Sequence, residues 1–384
     1  MKDGRIPLYD IRLDSGTIAE VRDTLTSGWL TTGPKVRKFE KAVAAYLRMR
    51  YTVAVSSATA GLNLCLQAVG VEGKEVVTTP FTFMATVEAI LQSGGIPVMA
   101  DIDPDTLTVD PDEVTRKISH KTACLLPVDI AGHPADYDSL GDIAQASGLP
   151  VIADASHSMG AKYRGKPIPR LAEAAVFSFH STKNLTCGEG GMVVSRFGPL
   201  VDIIRKASLH GLTAGAYARR LQKKWLYDVE QLGFKANMSD VHAAIDLGQL
   251  RLFEKNQARR RAIARRYFTR LASLDDHIAL PHISEKVEHA WHLFIIRLHL
   301  SRLKITRDRF IGLMSRRGVE CGVHYQPVFN FTLFKESGYS GQYLPNAAYA
   351  GKRVVSLPMY PGLKLSQVDY VCEQVSDIIS RHGR

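Results

Sequence analysis

The feature that most constrains the fold of this chain is the alternation of apolar, strand-like runs with helical patterns over its first two thirds. Such runs occupy 52–57, 96–103, 122–132 and 150–156, and segments with helical spacing of apolar residues lie between them. Repeated strand-helix-strand units with short loops predict a mainly parallel sheet covered by helices. The sequence therefore predicts an α/β fold.

The character of the sequence changes after about residue 250. A long basic helix is followed by a strand-like run at 290–300, a second helical pattern and a helical C-terminus. A chain of 384 residues also suits two domains better than one small core. We therefore predict a large domain at 1–250 and a smaller α+β domain at 251–384.

The net charge of +11 is concentrated in 220–225 and 256–270. In the second stretch Ile263, Tyr267 and Leu271 fall at helical spacing, which predicts a helix with one packed stripe and a solvated basic face. The chain has no zinc finger, no RRM-like aromatic motif and no isolated basic tail, which argues against a nucleic-acid partner. Attraction of a small anionic substrate is the better second interpretation.

Two absences bound the location of the protein. No apolar run approaches the length of a membrane helix, and the N-terminus lacks the apolar stretch of a signal peptide. The five cysteines are an odd number without CxxC spacing, which favours reduced thiols over disulfides or a zinc site. We therefore predict a cytoplasmic protein with no membrane partner and no bound metal.

Three strand ends carry residues that could form a site, since ligands gather at the carboxyl edge of a parallel sheet. The first is "AVSSATAG", where a strand stops and small residues from Ser56 to Ala60 begin a helix. The free N–H groups and dipole at a helix N-terminus favour a phosphate. Serine and threonine also cap helices for structural reasons alone, so this motif is weak by itself.

The other two strand ends carry charged side chains. Asp154 ends the run at 150–156, where a carboxylate is costly unless it caps a loop or meets a cation. Lys183 follows "AAVFSFH" and precedes the glycine cluster at 187–191, which permits close approach of the backbone. A lysine held in a site can have a lowered pKa and attack a carbonyl, whereas a surface-loop lysine does not.

The order of these three features along the chain matches the needs of pyridoxal 5′-phosphate (PLP). Its phosphate requires helix N–H groups, its ring nitrogen requires a carboxylate, and its aldehyde requires a lysine that forms a Schiff base. Together the features predict a PLP site in which Lys183 is the catalytic residue.

Six ordered motifs carry a resemblance to a known family. They are "SGWLTTGPKVRKFE" (27–40), "AVSSATAGL" (54–62), "ADASHSMGA" (153–161), "SFHSTKNLTCGEGG" (178–191), "GFKANMSDVHAAI" (233–245) and "HAWHLFIIR" (289–297). On these motifs the chain resembles the DegT/DnrJ-type nucleotide-sugar aminotransferases over nearly its whole length. Within that family its pattern is closest to the enzymes that form 4-amino-4-deoxy-L-arabinose on a uridine nucleotide.

The resemblance implies a PLP-dependent transferase of fold type I that is a homodimer with shared active sites, whose large domain binds the cofactor and includes an N-terminal substrate segment. By this resemblance Lys183 forms the Schiff base and moves the proton between substrate and cofactor. Asp154 keeps the ring nitrogen protonated, His157 contacts the ring hydroxyl, and Phe83 stacks on the ring. Without the resemblance, Phe83 would be interpreted as ordinary packing.

The resemblance also implies contacts with the phosphate. Thr59, Ala60 and Ser178 would bind it within one subunit. Asn237 would reach the phosphate of the cofactor in the neighbouring subunit, which makes dimerisation part of catalysis.

Positions for the substrate follow from the same resemblance. The nucleotide sugar would contact the N-terminal segment at Trp29, Thr31 and Pro34. It would also contact the small domain at His324 and Tyr325. Structural alternatives are a core position for Trp29 and a satisfied polar role for His324.

The activity that the resemblance implies is ping-pong transamination from L-glutamate to a nucleotide-linked ketosugar, in surface-glycan, lipid A or antibiotic sugar biosynthesis. Lys183 favours it over the related PLP sugar dehydratases, which carry histidine at that position. The alternatives are such a dehydratase, or a non-catalytic regulatory protein that retains the fold. The sequence departs from the family pattern at Asp129, where the family often carries histidine.

Overall fold

The structure is a computed structural model that describes residues 4–223, 225–338 and 343–384. Its strands are β1 (Tyr51–Val55), β2 (Glu75–Thr78), β3 (Ile96–Met99), β4 (Thr122–Leu126), β5 (Ile152–Asp154), β6 (Lys162–Tyr163), β7 (Lys166–Pro167), β8 (Ala174–Ser178), β9 (Gly191–Ser195), β10 (Ile278–Ala279), β11 (Val287–Glu288), β12 (Phe294–Leu298) and β13 (Val354–Leu357).

The α-helices alternate with these strands in the first part of the chain. They are α1 (Ser15–Thr26), α2 (Pro34–Leu47), α3 (Ala58–Ala68), α4 (Ala85–Gln92), α5 (Pro111–Lys117), α6 (Tyr137–Ser147), α7 (Gly198–Ala207), α8 (Ala216–Gln222), α9 (Asp240–Leu271), α10 (Arg307–Arg316), α11 (Thr332–Glu336), α12 (Pro345–Gly351) and α13 (Leu365–His382).

Seven of the described strands form the main sheet, in the order β3-β2-β4-β5-β8-β9-β1. Pairing is parallel from β3 to β8, with single bridges Leu125–Val151 and Val128–Asp154 joining β4 to β5. Only β9 among these strands runs against its neighbours β8 and β1. The prediction of a mainly parallel sheet covered by helices is therefore confirmed.

The central strands are buried on both faces, which is why they appear in the sequence as continuous apolar runs. All residues of β8 and β9 are buried. Helix α3 ends at Ala68, and Gly70 just beyond it adopts a left-handed conformation with φ of 73°. At its other end, helix α3 follows strand β1 after a short turn at Ser56 and Ser57.

The last third of the chain builds a second hydrophobic core. Strands β10, β12 and β13 form an antiparallel sheet, and α10 and α13 pack against it. This agrees with the α+β character predicted for the C-terminal segment. Ile6, near the N-terminus, also packs into this second core.

Helix α9 runs through the predicted domain boundary near residue 250. Phe253 belongs to the core of the main sheet, whereas Ile263, Tyr267 and Leu271 are fully buried in the second core. The packed stripe is thus where its helical spacing predicts it. The basic face of α9 is only partly solvated, because Arg266 forms a bidentate ion pair with Asp369.

Within the described ranges, no helix combines the length and the hydropathy that a bilayer crossing requires. The five cysteines, all of which lie in those ranges, are free thiols.

Candidate active site

A cleft of about 440 Å³ opens at the carboxyl ends of β1, β2, β5 and β8, and Ser57 and Thr59 after β1 line it. It is lined by Asp154 and His157 after β5, by Lys183 after β8, and by His324 and Tyr325 from the C-terminal part of the chain. This is the edge at which open parallel sheets bind ligands. The three strand ends that the sequence singled out therefore meet in one cavity.

The N-terminus of α3 forms one end of the cleft. Ser57 caps the helix by accepting a hydrogen bond from the Ala60 N–H, at 3.1 Å. The N–H groups of Ala58 and Thr59 have no hydrogen-bond partner within the described residues. Thr59 and Ser178 line the cleft beside them, so two free donors and two hydroxyls are available for an anion.

The glycine cluster before β9 allows this end of the cleft to form. A Cβ at Gly191 would lie 2.7 Å from the backbone nitrogen of Ala58 and from the carbonyl carbon of Ser57. Real Cβ atoms do not approach backbone this closely, so only glycine lets β9 lie against the start of α3. The close approach that the sequence indicated at 187–191 is present.

Asp154 is held at the bottom of the cleft and is 5% exposed. Its Oδ1 accepts the N–H of Ser156 at 3.1 Å, and its Oδ2 accepts the hydroxyl of Thr86 at 2.8 Å. The Thr86 hydroxyl also lies 2.8 Å from that of Thr82, and because Thr86 donates to Asp154, Thr82 donates to Thr86. Both carboxylate oxygens are thus fixed in orientation.

Lys183 keeps part of its side chain open to the cleft. Burial lowers its pKa to about 8, and the negative charge of Asp154 opposes part of this shift. Its loop is anchored, because the neighbouring Asn184 donates to the carbonyl of Ala290 at 2.7 Å and to Gln257 at 3.2 Å. The result is a positioned lysine whose free-amine fraction near neutral pH is much larger than that of an ordinary lysine.

His157 is fixed between two partners. Its Nδ1 accepts the N–H of Ala131 at 3.2 Å, which assigns the ring proton to Nε2. Nε2–H then donates to the Tyr325 oxygen, at 3.1 Å. Burial, followed by the charge of Lys183, holds the pKa of His157 well below its ordinary value, so the ring is neutral.

The conformation of Ala131 is what makes that N–H available. Ala131 has a left-handed backbone with φ of 58°, and its carbonyl accepts the N–H groups of His292 and Leu293. The turn at Ala131 therefore links His157 of the main sheet to the segment that leads into β12. Nothing in a sequence pattern marks an alanine for this conformation.

His324 and Phe83 complete the cleft. His324 Nδ1 lies 2.8 Å from the Ser356 hydroxyl, and burial together with the charge of Lys183 lowers the pKa of His324 to about 4. The ring of Phe83 is 51% exposed and lies 6.0 Å from that of Tyr325. The predicted residues that line the cleft are Thr59, Phe83, Asp154, His157, Ser178, Lys183, His324 and Tyr325.

The other predicted residues lie outside this cleft. The N–H of Ala60 is used by the Ser57 cap. Asn237 donates to the Thr32 hydroxyl, and Thr31 and Asn237 line a different cavity. Pro34 is exposed at the first turn of α2.

Trp29 is half-buried rather than part of a core. Its ring contacts Tyr217 edge to face at 5.2 Å, and Arg220 lies over it at 5.5 Å. The structural alternative of a core position for Trp29 is therefore wrong.

Thr82 and Thr86 are site residues that the sequence reasoning did not identify. Both follow β2, in "TPFTFMAT", at the same edge of the sheet as Asp154. The available signal was a group of threonines directly after a strand end, but threonine at a helix start is common for capping alone.

Asp129 does not line the cleft. It is fully buried and accepts hydrogen bonds from the Ala135 N–H, the Tyr137 hydroxyl and the Ser158 hydroxyl. Burial raises its pKa to about 7. Through Ser158 it holds the turn that carries His157, so its influence on the cleft is indirect.

The residues of the cleft fit PLP. Two unpartnered N–H groups at a helix N-terminus suit its phosphate, the fixed carboxylate of Asp154 suits its ring nitrogen, and Lys183 suits its aldehyde. The observation that tests the fit is the pair of free donors at Ala58 and Thr59, which would otherwise remain unsatisfied at the wall of a cavity.

Comparison with known proteins gives the family. Residues 12–376 match the DegT/DnrJ/EryC1/StrS aminotransferase family. The chain is 40% identical over 366 residues to the spore coat polysaccharide biosynthesis protein SpsC of Bacillus subtilis (strain 168), covering 94% of each chain.

Solved structures agree with this match. The PLP form of the putative sugar aminotransferase Spr1654 from Streptococcus pneumoniae is similar with a TM-score of 0.91 and 31% identity, covering 98% of this chain and 99% of that one. PseC of Helicobacter pylori, an aminotransferase involved in pseudoaminic acid biosynthesis, has a TM-score of 0.91 and 25% identity, covering 98% and 100%. The chain therefore belongs to the DegT/DnrJ/EryC1/StrS aminotransferase family and is a PLP-dependent sugar aminotransferase of fold type I.

Proposed function

We propose that this enzyme transfers an amino group from L-glutamate to the keto group of a nucleotide-linked sugar. The observation that carries the proposal is the single cleft in which Lys183, with its lowered pKa, the fixed carboxylate of Asp154 and the free N–H groups at the start of α3 lie together. An amine with a lowered pKa, an anchored carboxylate and a phosphate site are the parts that transamination requires.

Each of these residues has a defined task in the proposed mechanism. When PLP is bound, its conjugated ring stabilises negative charge on the carbon that loses a proton. Asp154, held by Thr86 and Ser156, keeps a proton at the ring nitrogen. Lys183, as a free amine, accepts the proton from the α-carbon of the donor and later returns one to the sugar carbon.

Tyr325 is the proposed donor to the sugar. Because its oxygen accepts the hydrogen bond from His157 Nε2–H, its own hydroxyl hydrogen remains available at the wall of the cleft. Burial raises the pKa of Tyr325, so the hydroxyl stays protonated and can donate. The pKa of His324 is lowered to about 4, so this side chain is neutral and places no charge beside the substrate.

The nucleotide end is assigned to the N-terminal segment. Trp29, Tyr217 and Arg220 form an aromatic and cationic group, and Arg37 lies over the Tyr217 ring at 4.8 Å. Such surfaces suit a base and a diphosphate. Thr31 belongs to the same segment, and this group is proposed to serve a cleft of the neighbouring subunit.

A homodimer follows from that assignment, and the exposed surface supports it. Leu221, Trp225, Leu226 and Leu232 are 59%, 80%, 78% and 97% exposed. Soluble monomers rarely expose such a concentration of large apolar side chains. Asn237, outside the cleft of its own chain, is proposed to reach the cofactor phosphate of the partner subunit across this surface.

The pathway proposed is the synthesis of an amino sugar for a surface polysaccharide. The relative at 40% identity is named for spore coat polysaccharide biosynthesis, which favours this choice over lipid A or antibiotic sugars. A cytoplasmic location is part of the proposal, because the cysteines are free thiols.

The test uses the visible absorbance of the cofactor in the PLP-loaded protein. L-Glutamate is added first, and UDP-, dTDP- and GDP-linked amino sugars are then added separately to fresh enzyme. We expect the band to be lost with glutamate and with one class of amino sugar, and to be absent from Lys183→Ala but present in Lys121→Ala. If no nucleotide-linked amino sugar changes the absorbance band, the proposed substrate is contradicted. If glutamate leaves the band unchanged, the proposed amino donor is contradicted.

A further inference from the structure

A second cavity, of about 370 Å³, adjoins the catalytic cleft at the loop that carries Lys183. Thr182 and Lys183 line both this cavity and the catalytic cleft. The rest of its wall comes from residues 9–14, from α9 between 249 and 260, and from residues 360–362. We refer to it as the rear cavity.

Three cations of α9 line the rear cavity: Lys255, Arg259 and Arg260. Within the described part of the chain, none of them has a carboxylate at ion-pair distance. Lys255 is exposed, whereas Arg259 is partly buried and Arg260 is buried. Buried or partly buried cations are normally paired, because charge is costly to remove from water. The rear cavity therefore has an uncompensated positive charge.

Arg260 is the clearest case, since it is 4% exposed. Its Nη1 donates to the backbone carbonyls of Trp291 and Met359, both at 3.0 Å, and its buried Nε has no hydrogen-bond partner among the residues that the structure describes. Burial lowers the pKa of Arg260 to about 9. Neutral carbonyls orient this guanidinium but leave its charge uncancelled.

Other arginines of the same helix show that α9 has carboxylate partners elsewhere. Arg251 pairs with Glu20, and Arg266 and Arg270 both pair with Asp369. Within the described residues, Arg261 and Arg265 also have no carboxylate at ion-pair distance, but both are exposed to solvent and do not line the rear cavity. Among the α9 cations without a carboxylate, Lys255, Arg259 and Arg260 are those that lie beside an empty volume.

The two carboxylates at the rim do not cancel the charge. Asp10 is paired with Arg12 at 2.8 Å. Asp14 caps α1, where its Oδ1 accepts the N–H and the hydroxyl of Thr17. Both acidic groups therefore have partners other than the three cations that line the rear cavity.

We propose that the rear cavity binds a small multivalent oxyanion, of the phosphate or dicarboxylate class, through Lys255, Arg259 and Arg260. Neutral residues that can donate hydrogen bonds also line the wall, namely Gln249, Asn256 and Tyr360. Charge-assisted hydrogen bonds from two guanidinium groups suit such an anion. Its location places the anion beside the loop of Lys183, at a position separate from the cofactor site.

The experiment is isothermal titration calorimetry on the PLP-loaded wild-type protein, with inorganic phosphate and, separately, with succinate. The loaded protein is used because the cofactor then occupies the phosphate site at α3. The test variant is Lys255→Gln/Arg259→Gln, and the matched control is Arg261→Gln/Arg265→Gln. The control removes the same charge from exposed positions of α9 that do not line the rear cavity.

We expect saturable binding of at least one anion, weakened by about tenfold or more in the test variant and by less than about twofold in the control. If phosphate binds more tightly than succinate, the natural ligand is expected to be a phosphate ester. If succinate binds more tightly, the natural ligand is expected to be a dicarboxylate such as the amino donor. Because Arg259 also holds the carbonyls of Pro361 and Leu363, the single variant Lys255→Gln serves as a second test that leaves those bonds intact. Absence of saturable binding, or equal weakening in test and control variants, would overturn the proposal.

Discussion

The hydroxyl of Thr86 donates a hydrogen bond of 2.8 Å to Oδ2 of Asp154, and Thr82 donates to Thr86 in turn. The two threonines therefore form a relay that ends on the carboxylate assigned to the cofactor ring. Such a donor fixes the orientation of the carboxylate. The helix that follows β2 thus contributes to the electrostatics of a site whose charged residues come from other strands.

Replacement of Thr86 by valine tests this relay, because valine preserves the shape and removes the hydroxyl. Loss of a hydrogen bond to a charged group should weaken PLP binding by about tenfold or more. The dissociation constant, measured from cofactor absorbance, gives the result. Thr269→Val, which removes an exposed hydroxyl of α9, is the control and should leave the constant unchanged. An unchanged constant in both variants would show that the relay is not needed to hold the cofactor.

Capture of PLP by the cofactor-free protein should depend on pH with a midpoint near the pKa of Lys183, about 8. Only the free amine attacks the aldehyde, so the rate should rise by about tenfold per pH unit below the midpoint and level off above it. An ordinary lysine would continue to gain reactivity up to its unperturbed pKa of about 10.4. Stopped-flow absorbance measures the rate, and a rise that continues well above pH 8 would contradict the lowered pKa.

Asp129→Asn should change how stability depends on pH. Because burial raises the pKa of Asp129 to about 7, the folded wild-type protein binds more protons than the unfolded chain between about pH 4 and about pH 7. The wild type therefore loses up to about 1.4 kcal/mol of unfolding free energy per pH unit, relative to the variant, as pH rises through that window. Above about pH 7 the difference in unfolding free energy between the wild type and the variant should be constant.

Urea unfolding of both proteins across this window measures the difference. Asp142→Asn, at an exposed position of α6, is the control and should follow the wild type. A difference that does not change with pH would show that Asp129 is ionised throughout.

Gly191→Ala should disturb the phosphate end of the cleft. The added Cβ would meet the backbone of Ser57 and Ala58 at 2.7 Å, so β9 and the start of α3 must separate. We expect a loss of about 1–3 kcal/mol in unfolding free energy, as for other overpacked sites, together with weaker PLP binding. Gly141→Ala, where a Cβ meets nothing within 4 Å, should instead be neutral or slightly stabilising. Equal behaviour of the two variants would contradict the close approach.

The fold and the centre of the site follow from local patterns in the sequence. Asp154 and Lys183 could be assigned because each follows an apolar run, and parallel strands bring their carboxyl ends to one edge. The burial of Ile263 and Tyr267 follows in the same way from helical spacing. These predictions rely on periodicity and on the order of elements, which a single sequence contains.

Other features depend on contacts between distant segments. The tautomer of His157 is set by the N–H of Ala131, whose left-handed conformation has no signature in an alanine. The hydrogen bond from His157 to Tyr325 joins residues 168 positions apart. The roles assigned to Trp29 and Asn237 remain predictions, since both lie outside the cleft of their own chain.

Helix α9 has a consequence for the way the molecule unfolds. Phe253 and Tyr267 lie on one unbroken helix yet belong to different hydrophobic cores. Opening either core exposes part of a helix that the other core needs, so the two cannot lose structure independently. Although the composition of the sequence changes near residue 250, heat or denaturant should unfold the two cores together, so that probes placed in each core report the same transition midpoint.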